Sequence, residues 1–154
     1  MKNICIIGAG RQGTACAYDL VKFLENVNLV FLDVDIKQSK KASDKIKDLL
    51  GYDAKYESFD IHDKKKLIQF LEPFDIFLSS VPYHYNIYLT DIAIKTKTSM
   101  VDLGGHTQNV IKQLSRNQDA VKSGITIVPD CGMGPGMNVS VALMGIESMD
   151  SPKH

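Results

Sequence analysis

Gly8-Ala9-Gly10-Arg11-Gln12-Gly13 spells G-x-G-x-x-G, and Asp33 follows twenty residues after its last glycine. Between a strand and a helix, such a run cradles phosphate. The first glycine permits a tight turn, the second clears room for a pyrophosphate, and the third lets helix and strand pack closely. The N–H groups and positive dipole end of the following helix complete an anion site. A carboxylate placed like Asp33 accepts hydrogen bonds from ribose hydroxyls and repels a 2'-phosphate, which favours NAD over NADP. Lys37 and Lys40 are the side chains that would swing the choice back toward a phosphate. Arg11 has two open readings, a cofactor contact or an exposed cation.

These residues need elements to hold them. Six short apolar runs read as strands: Asn3 to Ile7, Asn28 to Asp33, Ala54 to Phe59, Asp75 to Ser80, Ser99 to Leu103 and Ile125 to Val128. Helical patterns separate them. Gly13, Ala17, Leu20 and Leu24 share one face; Asp35 and Gln38 resemble a capping box opening a lysine-rich helix that buries Ala42, Ile46 and Leu49; Val110, Leu114 and Val121 keep the face of another helix. Shorter helices are expected near Asp63 to Leu71 and Ile87 to Ile94. Strands alternating with crossover helices predict an α/β fold, a Rossmann-type doubly wound parallel sheet of about six strands.

In such a sheet ligands bind beyond the carboxyl ends of the strands. Those ends carry Asp60-Ile61, Ser80-Val81-Pro82-Tyr83-His84, Asp102-Leu103-Gly104-Gly105-His106 and Asp130-Cys131-Gly132. Ser80, Val81 and Pro82 are candidates for cofactor contact. His84 and His106 are weaker candidates for an acid/base role, and no catalytic residue is assigned. Cys131 lacks an evident base partner, so packing or cofactor contact is preferred to a nucleophile.

Composition excludes other classes. Eighteen basic and eighteen acidic residues give zero formal charge, leaving no global field for nucleic acid or an anionic membrane. The apolar runs are far too short for a membrane span, and Met1-Lys2-Asn3 leads into glycine-rich sequence instead of a signal peptide. Three cysteines without zinc-like spacing fit a reducing, cytoplasmic setting and no structural metal.

Taken together, ICIIGAGRQG, LDVD, SFDIHD, SSVPYHYN, VDLGG and VPDCGMGPGMN resemble the saccharopine dehydrogenase family, nearest its lysine 6-dehydrogenase branch. The late PDCGxxPG loop is the more specific marker. The resemblance implies Gly8, Gly10, Arg11, Gln12 and Gly13 around the pyrophosphate, Asp33 on the adenosine ribose, and Asp60 with Ile61 against the adenine. It implies Ser80, Val81 and Pro82 beside the nicotinamide ribose, and Asp102, Cys131 and Gly132 near the nicotinamide and an amino-acid substrate. The implied chemistry is hydride transfer from an amine-bearing carbon to the nicotinamide.

Family members continue into a second, substrate-binding and dimer-forming domain. Residues 1–136 are therefore expected to form the dinucleotide-binding domain and 137–154 a helix leading toward a domain absent from this sequence, with Ser151-Pro152-Lys153-His154 interrupting the pattern. Such a piece would bind dinucleotide with little or no turnover. An apolar face of the helix around Val139 to Met149, if uncovered, would favour a homo-oligomer. Two alternatives stand beside this reading: a stand-alone NAD-binding sensor module, which would not need the VPDCGMGPGMN loop, and an S-adenosylmethionine methyltransferase, against which the GAGRQG spacing argues.

Overall fold

The computed structural model describes residues 1–150, so the expected interruption at 151–154 lies outside the described residues. Six strands are all parallel: β1 (Lys2–Ile7), β2 (Val27–Asp33), β3 (Lys55–Ser58), β4 (Ile76–Ser79), β5 (Ser99–Asp102) and β6 (Ile127–Val128). Their order is β3-β2-β1-β4-β5-β6, the doubly wound order whose direction of travel reverses between β1 and β4. The helices are α1 (Arg11–Phe23), α2 (Ile36–Leu50), α3 (Lys64–Leu71), α4 (Asn86–Thr96), α5 (Thr107–Leu114), α6 (Asn117–Ser123) and α7 (Met137–Glu147), with a 3-10 turn at Tyr83–Tyr85. All six expected strands are present.

Both sheet faces are covered, which is why the central strands read as unbroken apolar runs. Successive side chains on a strand point to opposite faces. Cys5, Ile7 and Phe77 accordingly join Leu67, Leu71, Leu89 and Ile92 of α3 and α4 on one side. Ile6, Leu29, Phe31 and Leu78 pack with Ala17, Ala42 and Ile46 of α1 and α2 on the other.

Caps explain where the helices begin. The Asp35 carboxylate accepts the Lys37 N–H at 2.9 Å and the Asp63 carboxylate accepts that of Lys66 at 3.1 Å. At α1, by contrast, the cap is Gly10 and no side chain closes the end. Its first-turn N–H groups stay available.

Three helical expectations change. Leu24 and Leu49 are exposed, so the buried faces of α1 and α2 are shorter than the apolar spacing suggests. The expected helix through Val110, Leu114 and Val121 is two helices broken at Ser115-Arg116, with Leu114 and Val121 exposed and Gln113 and Ala120 inside. A polar contact takes the inward position: the Gln113 amide donates to Asp102 at 2.7 Å and to Thr90 at 3.1 Å. The last helix ends at Glu147, and Met137, Val139, Val141, Leu143, Met144 and Ile146 are all exposed. It therefore has no covered face among the described residues. None of the described helices is long and apolar enough to cross a membrane.

Candidate dinucleotide site

The glycine turn leaves β1 on the seam with β4. Gly8 adopts φ +98°, a left-handed conformation, and a Cβ there would stand 2.6 Å from the Ser80 carbonyl oxygen. Gly13 is held by proximity: a Cβ would land on the Gly8 carbonyl oxygen and against Ile6. Gly10 differs, because a Cβ on it would meet nothing within 4 Å. Open space thus lies before the uncapped start of α1. The arrangement fits a pyrophosphate, since the backbone supplies donors and the one position where a side chain would intrude carries none.

Asp33 braces this turn. One carboxylate oxygen accepts the Ala9 N–H at 2.8 Å and the other accepts the Asp35 N–H at 3.1 Å. The expectation of NAD treated Asp33 as a carboxylate free for ribose hydroxyls. Each of its oxygens instead already accepts a backbone N–H, so Asp33 also serves the turn's own structure. Arg11 and Gln12 are exposed at the head of α1, beside the open space.

Beyond the turn, the remaining candidates gather at the carboxyl ends of β3 to β6. Asp60 accepts both the His62 backbone N–H at 2.9 Å and a contact from His62 Nδ1 at 2.7 Å, and those bonds hold its carboxyl below the usual range. Ile61 packs against the core and its carbonyl accepts the Tyr88 hydroxyl at 2.9 Å. Ser80 ties its N–H to Ile7 across the seam at 2.8 Å, while its Oγ is buried with no hydrogen-bond partner among the described residues. Val81 packs beside Gly8, and the Pro82 carbonyl accepts the Tyr85 N–H at 3.0 Å, starting the 3-10 turn.

Asp102 is fully buried. Its carboxylate accepts the Gly104 N–H at 2.7 Å, the Asp130 N–H at 3.3 Å and the Gln113 amide. Its carbonyl accepts the Cys131 N–H at 2.8 Å. It therefore organises the loops after β5 and β6 from below. Gly132 packs its α-carbon against the Leu103 carbonyl oxygen, a close approach that leaves no space for a side chain. Sequence patterns did not single out Tyr83, whose ring stacks on His106 with centroids 5.2 Å apart, nor Gln113. Histidine and tyrosine at successive strand exits were the available signal for the first; nothing local marks the second.

Cys131 is exposed, yet burial of its sulfur pushes the thiol pKa up, with the Asp102 and Asp130 carboxylates adding to the shift. A raised thiol pKa means less thiolate at neutral pH. Iodoacetamide at pH 7 should modify Cys131 several-fold more slowly than free cysteine, with the rate rising through alkaline pH. Peptide mass spectrometry over a time course checks this; labelling as fast as free cysteine would reinstate the nucleophile reading.

Known proteins resemble this arrangement. The family model described as "Saccharopine dehydrogenase NADP binding domain" matches residues 4–128. The Saccharomyces cerevisiae protein named saccharopine dehydrogenase [NADP(+), L-glutamate-forming] is 28% identical over 92 residues, covering 60% of this chain and 20% of that protein. A solved structure of apo saccharopine dehydrogenase (L-Glu forming) from the same yeast superposes with a TM-score of 0.77 at 22% identity, over 96% of this chain and 31% of that one. The structure of GenD2 from gentamicin A biosynthesis in complex with NAD superposes with a TM-score of 0.60 at 10% identity, over 83% and 34% of the two chains. The chain spans a third or less of the saccharopine dehydrogenases it matches. With the glycine turn, its Asp33 brace and the doubly wound order in place, the match over most of the sequence means that this chain belongs to the saccharopine dehydrogenase NADP-binding domain family.

Proposed function

We propose that this chain is the dinucleotide-binding part of a cytoplasmic amino-acid oxidoreductase, one that removes hydride from an amine-bearing carbon. The observation that carries the reading is the uncapped start of α1 facing open space at Gly10, with the turn held by Asp33. When bound, the nicotinamide supplies the hydride acceptor. The chain's own residues bind and orient: the α1 amides take the phosphates, and the Ser80 hydroxyl, buried and unpartnered among the described residues, offers a hydrogen bond at the β4 exit. The family description and the yeast relative's name both specify NADP, and on that ground the reading takes NADP over NAD.

A thermal-shift titration with NAD, NADP, ADP-ribose and S-adenosylmethionine tests it. Ligand at a hundred times its Kd adds about 2.7 kcal/mol of stability, so the preferred dinucleotide should raise Tm by roughly 5 to 10 °C for a chain of this size. No response to either dinucleotide would sink the reading, and a response to S-adenosylmethionine alone would replace it.

A further inference from the structure

The sheet ends in an uncovered edge at β3. No strand pairs with its outer side among the described residues, and Lys55, Tyr56 and Glu57 are all exposed. Such an edge presents backbone N–H and C=O groups to any strand that can lie beside it. The Ser39 and Ser43 hydroxyls of α2 donate to the Glu57 and Ala54 carbonyls, but a carbonyl oxygen accepts two donors.

Side chains alternate across the strand. Tyr56 lies opposite Phe31 on the α2 side of the sheet, whereas Glu57 lies opposite Leu32 on the α3 side with Lys55 beside it. A second copy of this edge, brought in antiparallel about a two-fold axis perpendicular to the sheet, keeps both faces only where like-facing residues stand opposite each other. Centring the axis on Lys55, or on Glu57, sets that residue against its own copy, and like charges directly opposite are destabilising. Centring it on Tyr56 opposes Lys55 to Glu57 on both sides of the axis and Tyr56 to Tyr56, a favourable aromatic pair. Alone among these registers, it joins opposite charges.

We propose that two copies of this chain pair antiparallel along β3, about a two-fold axis at Tyr56, with reciprocal Lys55–Glu57 ion pairs. The occupant is a second copy because the edge is complementary to itself under that one operation. A strand of four residues is about 13 Å long and covers less than the roughly 800 Å² per partner of a standard interface, so the dimer is a reversible one. The assignment is independent of the dinucleotide reading.

Sedimentation velocity on the whole chain, over a concentration series, tests it. The unaltered chain should pass from the 17.1 kDa monomer to a dimer as concentration rises, and less readily in high salt. Lys55→Glu and Glu57→Lys each oppose like charges at both contacts and should weaken self-association at least tenfold. An equimolar mixture of the two variants should associate as the unaltered chain does, because each then meets the opposite sign, and a chain carrying both changes should dimerise for the same reason. Both positions are exposed, and thermal melts confirm that the variants fold. An unaltered chain that stays monomeric, or a mixture that does not recover association, overturns the pairing. Association that survives both single variants also overturns it, and moves the contact to the exposed apolar side chains of α7.

Discussion

Gly13→Ala should cost this chain its dinucleotide affinity and several degrees of thermal stability together. The added methyl falls on the Gly8 carbonyl oxygen and sits 3.0 Å from Ile6 Cγ2, the one a backbone atom and the other part of a fully buried side chain. Neither yields cheaply, so α1 must lift away from β1. Overpacking of this kind costs about 1 to 3 kcal/mol, or roughly 3 to 10 °C in Tm. A displacement of order one ångström in the phosphate donors weakens binding on the order of a hundredfold. Gly10→Ala separates the two effects. Its methyl meets nothing within 4 Å and its φ of −72° suits any residue, so Tm should stay within about 1 °C while dinucleotide affinity still falls. Calorimetric binding and thermal melts of the two variants make the comparison. If Gly10→Ala binds as well as the parent chain, the phosphates do not lie where the turn places them.

The second large effect lies at Asp102. Asp102→Ala removes the acceptor for the half-buried Gly104 and Asp130 N–H groups and for the buried Gln113 amide. Leaving a buried donor without its acceptor costs about 1 to 3 kcal/mol, so the loss should reach a large share of the roughly 5 to 15 kcal/mol that holds a domain together. Asp102→Asn should cost only about 1 to 2 kcal/mol. It keeps one acceptor oxygen, and Gln113 can rotate its amide so that Oε1, which has no partner among the described residues, accepts from the new NH₂. Urea melts of the two variants give the difference directly. Equal and small losses would mean that the loops after β5 and β6 are held by something else.

These two sites show unequally in the sequence. The glycine turn is legible because its constraints are local: strand, turn and helix start lie within a few residues, and buried parallel strands announce themselves as apolar runs. The role of Asp33 was half legible. Its place at the end of β2 follows from spacing, but its bonds to Ala9 and Asp35 belong to the folded turn. Asp102 read as a residue near the substrate because it sits at a strand exit; its burial depends on Gln113, eleven residues on, being turned inward while Leu114 faces water. An apolar periodicity rule chooses Leu114 every time, since it cannot weigh a buried amide whose partner lies on another element.

The reversal between β1 and β4 also sets an order of events in folding. Ile4 pairs with Leu29, Val30 with Lys55, Ile76 with Ser99 and Met100 with Ile127, so every strand pair but one is closed by a connection with no strand in it. The exception joins Ile4 to Ile76, with two strands and three helices in between. Contacts distant along the chain are entropically the most costly to close and are made late. The chain should therefore assemble as two local halves, β1 to β3 and β4 to β6, that dock along one line. Gly8, Ser80 and Val81 lie on that line, so the phosphate turn belongs to the first half and gains its β4 wall only when the two meet.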